Sequence, residues 1–173
     1  MTETVAYVVA GVVAGQPAAF VQTAAMLAER FGADLVCATV DGSHYAAGRR
    51  ADGTVVTMPI DPDLVDEDPE GFDPDLRDEI ATRLAGRPVR WAVQALVGGA
   101  AQELARLADE LDAAMIIVGT REAGVKRSLH EFFNGSVAVQ LAHRQHRPVV
   151  VVPLNPIVGD DVLPWQAEDS AHE

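Results

Sequence analysis

Apolar positions in this chain alternate between two patterns. Five short runs are mostly apolar and rich in β-branched residues: Val5 to Gly11 (VAYVVAG), Asp34 to Val40 (DLVCATV), Val89 to Leu96 (VRWAVQAL), Ala114 to Gly119 (AMIIVG) and Val149 to Val152 (VVVV). Runs of this length, bounded by Gly or Pro, predict strands buried on both faces. Between them the apolar positions recur at helical spacing. Phe20, Ala24, Leu27, Ala28 and Phe31 follow Pro17 at a first helical position and stop at Gly32. Leu76, Ile80 and Leu84 follow Asp73-Pro74, an N-cap and N1 pair, and stop at Gly86. A third helix is expected over about Ala101 to Leu111 with Leu104, Leu107 and Leu111 inward, and a fourth from near Gly135 to about His146. The resulting order, β-α-β-loop-α-β-α-β-α-β, predicts an α/β fold: a doubly wound, five-stranded parallel sheet with helices on both faces.

The alternation is interrupted between Asp41 and Asp73, a stretch rich in Gly, Pro and acids that reads mostly as loop. Inside it, RRADGTVVTMP sets an Asp52-Gly53 turn signal beside a β-branched run, which predicts a small hairpin or an added edge segment. The expected organisation is one domain over residues 1–154, with a long acidic loop at 41–73, and a C-terminal tail over 155–173 that wraps or frays.

Composition narrows the function classes. At 173 residues with no apolar run near bilayer length, the chain reads as one domain and not as a membrane protein. One cysteine, Cys37, and an N-terminus with no basic region before its apolar segment make the cytoplasm the expected compartment. The net charge is -13. Ten acids against Arg77 lie between Asp61 and Glu79, a segment that reads as a solvated face or a partner-docking surface. Such a balance argues against nucleic acid as a partner. The sign reverses from Arg121 to Arg147, where Arg121, Lys126, Arg127, Arg144 and Arg147 outnumber Glu122 and Glu131.

That basic region overlaps the best candidate for a ligand site. Ligands of doubly wound sheets bind beyond the carboxyl ends of the strands where the winding reverses. If the first and fourth strands are neighbours, the loop from Gly11 to Gln16 and the loop from Gly119 to Gly135 line that crevice. Gly119 lets the chain turn off a strand close to a ligand, and Gly135-Ser136 opens a helix whose unpaired N–H groups suit a phosphate. Equally, these residues serve turn and cap geometry alone, and Arg121, Lys126 and Arg127 are either phosphate clamps or a solvated loop. His143, His146, Arg144 and Arg147 complement the dipole at the end of the fourth helix, and Cys37 reads as a small core hydrophobe. Gly11 and Gly15 are too close for a Walker A loop, and neither G-x-G-x-x-G after a strand nor G-x-S-x-G occurs. No catalytic residue and no metal ligand is assigned, so the expectation is a protein that is not an enzyme.

Read as a unit, IIVGTREAGVKRSLHEFFNGSVAVQLAHRQHRPVVVVP resembles the universal stress protein family. The resemblance covers most of residues 3 to 154, including the first strand and helix and the turn Val97-Gly98-Gly99-Ala100. It implies strand order 3-2-1-4-5, a role in stress response, and ATP or AMP with magnesium as the ligand. It also implies ligand contacts at Ala10, Gly11, Val40, Gly119, Arg121, Gly124, Gly135, Ser136 and Val137, a homodimer formed through Val149 to Val152, and a regulatory protein partner. Nucleotide-binding members carry a glycine, two residues, a second glycine, nine residues and then Gly-Ser or Gly-Thr. Here Gly119, Gly135 and Ser136 match the ends, Glu122 stands at the second glycine with Gly124 two residues on, and the following stretch is three residues longer. Those members also carry an acid at the end of the first strand, where this chain has Ala10-Gly11-Val12. The expectation is a regulatory or binding module with weak or absent nucleotide affinity. The alternatives are a working ATP or AMP site with a lengthened phosphate loop, or an enzyme of the adenine nucleotide α-hydrolase-like group.

Overall fold

A computed structural model describes residues 5–16, 18–42, 44–49, 55–59, 71–120 and 137–154. The elements run β1 (Ala6–Gly11), α1 (Ala18–Arg30), β2 (Ala33–Asp41), β3 (His44–Arg49), β4 (Val55–Pro59), α2 (Pro74–Leu84), β5 (Trp91–Val97), α3 (Ala100–Glu110), β6 (Met115–Gly119), α4 (Val137–Arg144) and β7 (Val149–Val152). Five strands form one parallel sheet in the order β5-β2-β1-β6-β7. Numbering its strands alone, that is 3-2-1-4-5, the order the family resemblance implies.

The apolar runs become strands because both of their faces are covered. Val8, Leu35 and Ile117 point into a cluster with Phe20, Ala24 and Ala28 of α1 and with Leu76, Ile80 and Leu84 of α2. Their neighbours Val9, Val36 and Ile116 point the other way, against Leu104 and Leu107 of α3 and Leu141 of α4. Phe20, Leu35, Ile80, Leu107, Ile116 and Leu141 are fully buried, and each contributes about 1.5–3 kcal/mol through the area it removes from water.

The helix ends follow their punctuation. Asp73 accepts from the Asp75 amide at 2.9 Å and Pro74 takes the first helical position of α2. Gly32 and Gly86 adopt φ of 61° and 75° just past α1 and α2, a conformation that suits glycine. One inward assignment needs correction: Phe31 lies beyond the end of α1 and is 58% exposed. Leu111, the C-cap of α3, is half-buried and packs against the cluster on the α3 side of the sheet.

Between β2 and α2, β3 and β4 pair antiparallel with an irregularity between Ala46 and Gly48. This is the small hairpin suggested by Asp52-Gly53, although its connecting residues 50–54 lie outside the described residues. Strand β2 outruns β1. Its register with β1 ends at Gly11 opposite Ala38, whereas its pairing with β5 continues to Asp41 opposite Val97. At the base of the hairpin, His44 is buried and its Nδ1 meets Asp41 Oδ2 at 2.9 Å.

Arg147 also departs from expectation. Instead of completing the dipole of α4, its guanidinium is 8% exposed and donates to the Ala113 carbonyl at 2.9 Å. It also donates to Asp109 and Asp112 at 3.2 Å each. It thereby fastens the start of β7 to the turn between α3 and β6.

Candidate functional site

Strands β1 and β6 are adjacent and parallel, pairing from Val8 with Met115 to Ala10 with Ile117. From β1 the connections lead to β2 on one side, and the later strands β6 and β7 lie on the other. The winding therefore reverses between β1 and β6, and the crevice lies beyond Gly11 and Gly119. Ala10, Gly11, Val40 and Gly119 come together at the carboxyl ends of β1, β2 and β6.

Their surroundings revise what each of them does. Ala10 is a fully buried core residue. A Cβ on Gly11 would stand 3.1 Å from Leu104 Cδ1 and 3.6 Å from Val118 Cγ1, so this glycine lets α3 pack closely on β1. A Cβ on Gly119 would lie 2.8 Å and 3.0 Å from the δ-carbons of Leu154 and 2.9 Å from Gln16 Nε2. The space over Gly119 is thus lined by two of the chain's own side chains, from the loop after β1 and from the end of β7. Val40 is half-buried beside the Asp41–His44 pair. Val137 opens α4 and packs half-buried against the α3 side of the sheet. Arg121, Gly124, Gly135 and Ser136, together with Glu122, Lys126 and Arg127, lie outside the described residues.

The loop after β1 is held by hydrogen bonds within itself and to β2 and α2. Val12 N donates to Ala38 O at 2.8 Å, extending the ladder one step past Gly11. Gly15 turns with φ of 76°. Gln16 N donates to Val13 O at 3.3 Å, and Gln16 Oε1 accepts from Val13 N at 3.3 Å. Arg83 of α2 reaches over, its Nη1 donating to the Gln16 carbonyl at 3.4 Å while its other end pairs with Glu79. On the opposite side, Thr120 N donates to Val152 O and Thr120 Oγ1 accepts from Leu154 N, both at 2.9 Å.

Gln16, Leu154, Arg83 and the Asp41–His44 pair were not singled out by sequence. Gln16 carried a usable signal, as a polar residue directly before Pro17, which the sequence pattern puts at a helix start. Cys37 is fully buried in mid-strand, and burial pushes its thiol up to about 12. His143 and His146 are exposed. Among the described residues no group of three or more His, Cys, Asp or Glu is placed to hold a metal ion, and no helix is long and apolar enough to cross a membrane.

Residues 1–153 match the sequence model described as the Universal stress protein family. No curated protein matches the chain. Among solved structures, a universal stress protein in complex with cAMP is 21% identical with a TM-score of 0.56, over 88% of this chain and 100% of its own. The universal stress protein from Archaeoglobus fulgidus in complex with dAMP is 16% identical with a TM-score of 0.53, over 87% of this chain and 99% of its own. A family protein from Burkholderia pseudomallei is 20% identical with a TM-score of 0.52, covering 88% and 99%. At these identities the likeness is one of fold.

Proposed function

The chain belongs to the universal stress protein family, and from that premise we propose that it is a regulatory binding module of the stress response whose β1–β6 crevice takes an adenine nucleotide weakly. The observation that carries this reading is the end of β1. Ala10-Gly11-Val12 offers no carboxylate to a ribose hydroxyl, and the space beside Gly11 is committed to Leu104. A buried hydroxyl with no acceptor loses much of the value of its contact, so the adenosine half of the ligand is held mainly by shape. The solved relatives with cAMP and dAMP support an adenine mononucleotide as the ligand class. No residue is assigned to hydrolysis in this reading.

Calorimetric titration with AMP, and with ATP and magnesium, tests it. The expected dissociation constant is on the order of 0.1–1 mM. At tenfold excess over that constant the melting temperature rises by roughly 3–6 °C. A submicromolar constant, or nucleotide retained through purification, would overturn the weak site, and no heat at several times the expected constant would overturn binding.

The proposed partner in the same reading is a second copy of the chain, joined along β7. This strand is an edge of the sheet, four valines long, with Val151 44% exposed. Covering an apolar edge with the same strand of another copy satisfies its open backbone groups symmetrically. A regulatory protein is proposed as a further partner.

A further inference from the structure

We propose that Gln16 selects the ligand of this crevice, donating from its carboxamide to a phosphate oxygen held between the start of α1 and the end of β6. The inference rests on the nucleotide reading above and adds the group that reads the nucleotide's charge.

Gln16 is 7% exposed, one of two buried polar residues among those described. Its two ends are distinguishable because the Val13 amide requires an acceptor, and Oε1 supplies it at 3.3 Å. Nε2 is therefore the end directed at Gly119, standing 2.9 Å from the point a Cβ would occupy there. Among the described residues no acceptor is bonded to this Nε2; the hydrogen bonds of Gln16 run through its backbone N and O and its Oε1. A buried amide with both N–H groups unmet is costly, and native structures keep one where a water, an ion or a ligand completes it.

The neighbourhood decides what completes it. Helix α1, 13 residues long, begins two residues after Gln16 and brings partial positive charge to this end of the crevice. Arg83 adds a guanidinium at the Gln16 carbonyl, and the nearby carboxylate of Glu79 is already committed to that guanidinium. At the end of β1, Ala10-Gly11-Val12 contributes no side-chain acceptor. Donors and positive charge, with no free carboxylate beside them among the described residues, fit an anionic oxygen and reject a group that can only donate. Leu154, pinned by its amide to Thr120 Oγ1 at 2.9 Å, sets an apolar side chain beside Nε2 over Gly119. The β1–α1 loop, which lost an acceptor for ribose, thus carries a donor for phosphate in its place.

The test compares the wild type with Gln16→Glu and Gln16→Met, titrated with AMP, adenosine and inorganic phosphate. Gln16→Glu keeps the oxygen that receives the Val13 amide and removes both donors, so it carries the comparison if Gln16→Met fails to fold. AMP affinity should fall roughly tenfold or more in both variants, with adenosine affinity unchanged and phosphate no longer competing. AMP affinity unchanged in both variants, while the wild type binds AMP, would overturn the role of Gln16 and leave the nucleotide reading intact. Equal losses for AMP and adenosine would overturn the assignment to phosphate. If the wild type binds neither AMP nor adenosine, the nucleotide reading fails and this inference fails with it.

Discussion

Arg147 shows how much one side chain does here that its local sequence conceals. It falls where a basic residue would complement the end of α4, yet its Nε donates to the carbonyl of Ala113, 34 residues away. Asp109 and Asp112 are largely exposed, so their ion pairs with it add little. The bond to Ala113 O matters more, because the alanine is buried and its carbonyl would be orphaned. Arg147→Ala should destabilise the fold by about 2 kcal/mol, read by urea unfolding, and Arg147→Lys should recover only part of it for want of the planar fork. Cys37 makes a prediction in pH. Its folded value of about 12 stands above the ordinary 9.0, so the folded protein holds the thiol proton after the unfolded chain has released it. That stabilisation is complete below pH 9 and is lost as pH rises toward about 12. Wild type should therefore lose stability relative to Cys37→Ala across that window, and the native thiol should resist alkylation at pH 8. The glycines give the same lesson as Arg147. Gly11 and Gly119 look alike in sequence, as strand ends free to approach a ligand, but Leu104, Leu154 and Gln16 come from distant positions to fill the space beside them.

Elements were far more legible than contacts. A strand buried on both faces must be apolar at consecutive positions, and a helix on a sheet must be apolar every three or four, so β1, β2, β6, α1 and α2 stand out in the sequence. The limits blur where burial is one-sided. Strand β5, an edge of the sheet, is half-buried or exposed at every position but Leu96, and it starts at Trp91, two residues after the apolar run suggests. The hairpin of β3 and β4 had a turn signal but no amphipathic pattern long enough to define two strands. At the other edge, β7 is apolar throughout, and its association with a second copy is tested by Val151→Lys. Wild type should elute as a dimer and the variant as a monomer with unchanged circular dichroism; a wild-type monomer at tens of micromolar would refute the interface.

For the whole molecule, topology fixes where a ligand belongs and local chemistry decides which ligand. The order of five strands followed from the sequence pattern together with the family resemblance, and it locates the crevice at the ends of β1 and β6. What fills that crevice depends on side chains brought together by the closing of the sheet, and these no motif encodes. The tie between Leu154 and Thr120 has a practical consequence. The end of β7 is stitched beside the crevice, while the chain's single native thiol is sealed in the core. A cysteine introduced at the exposed Pro153 would take a fluorescent label alone, one residue from the wall of the site. The dye would then report occupancy directly, with no need for a labelled ligand.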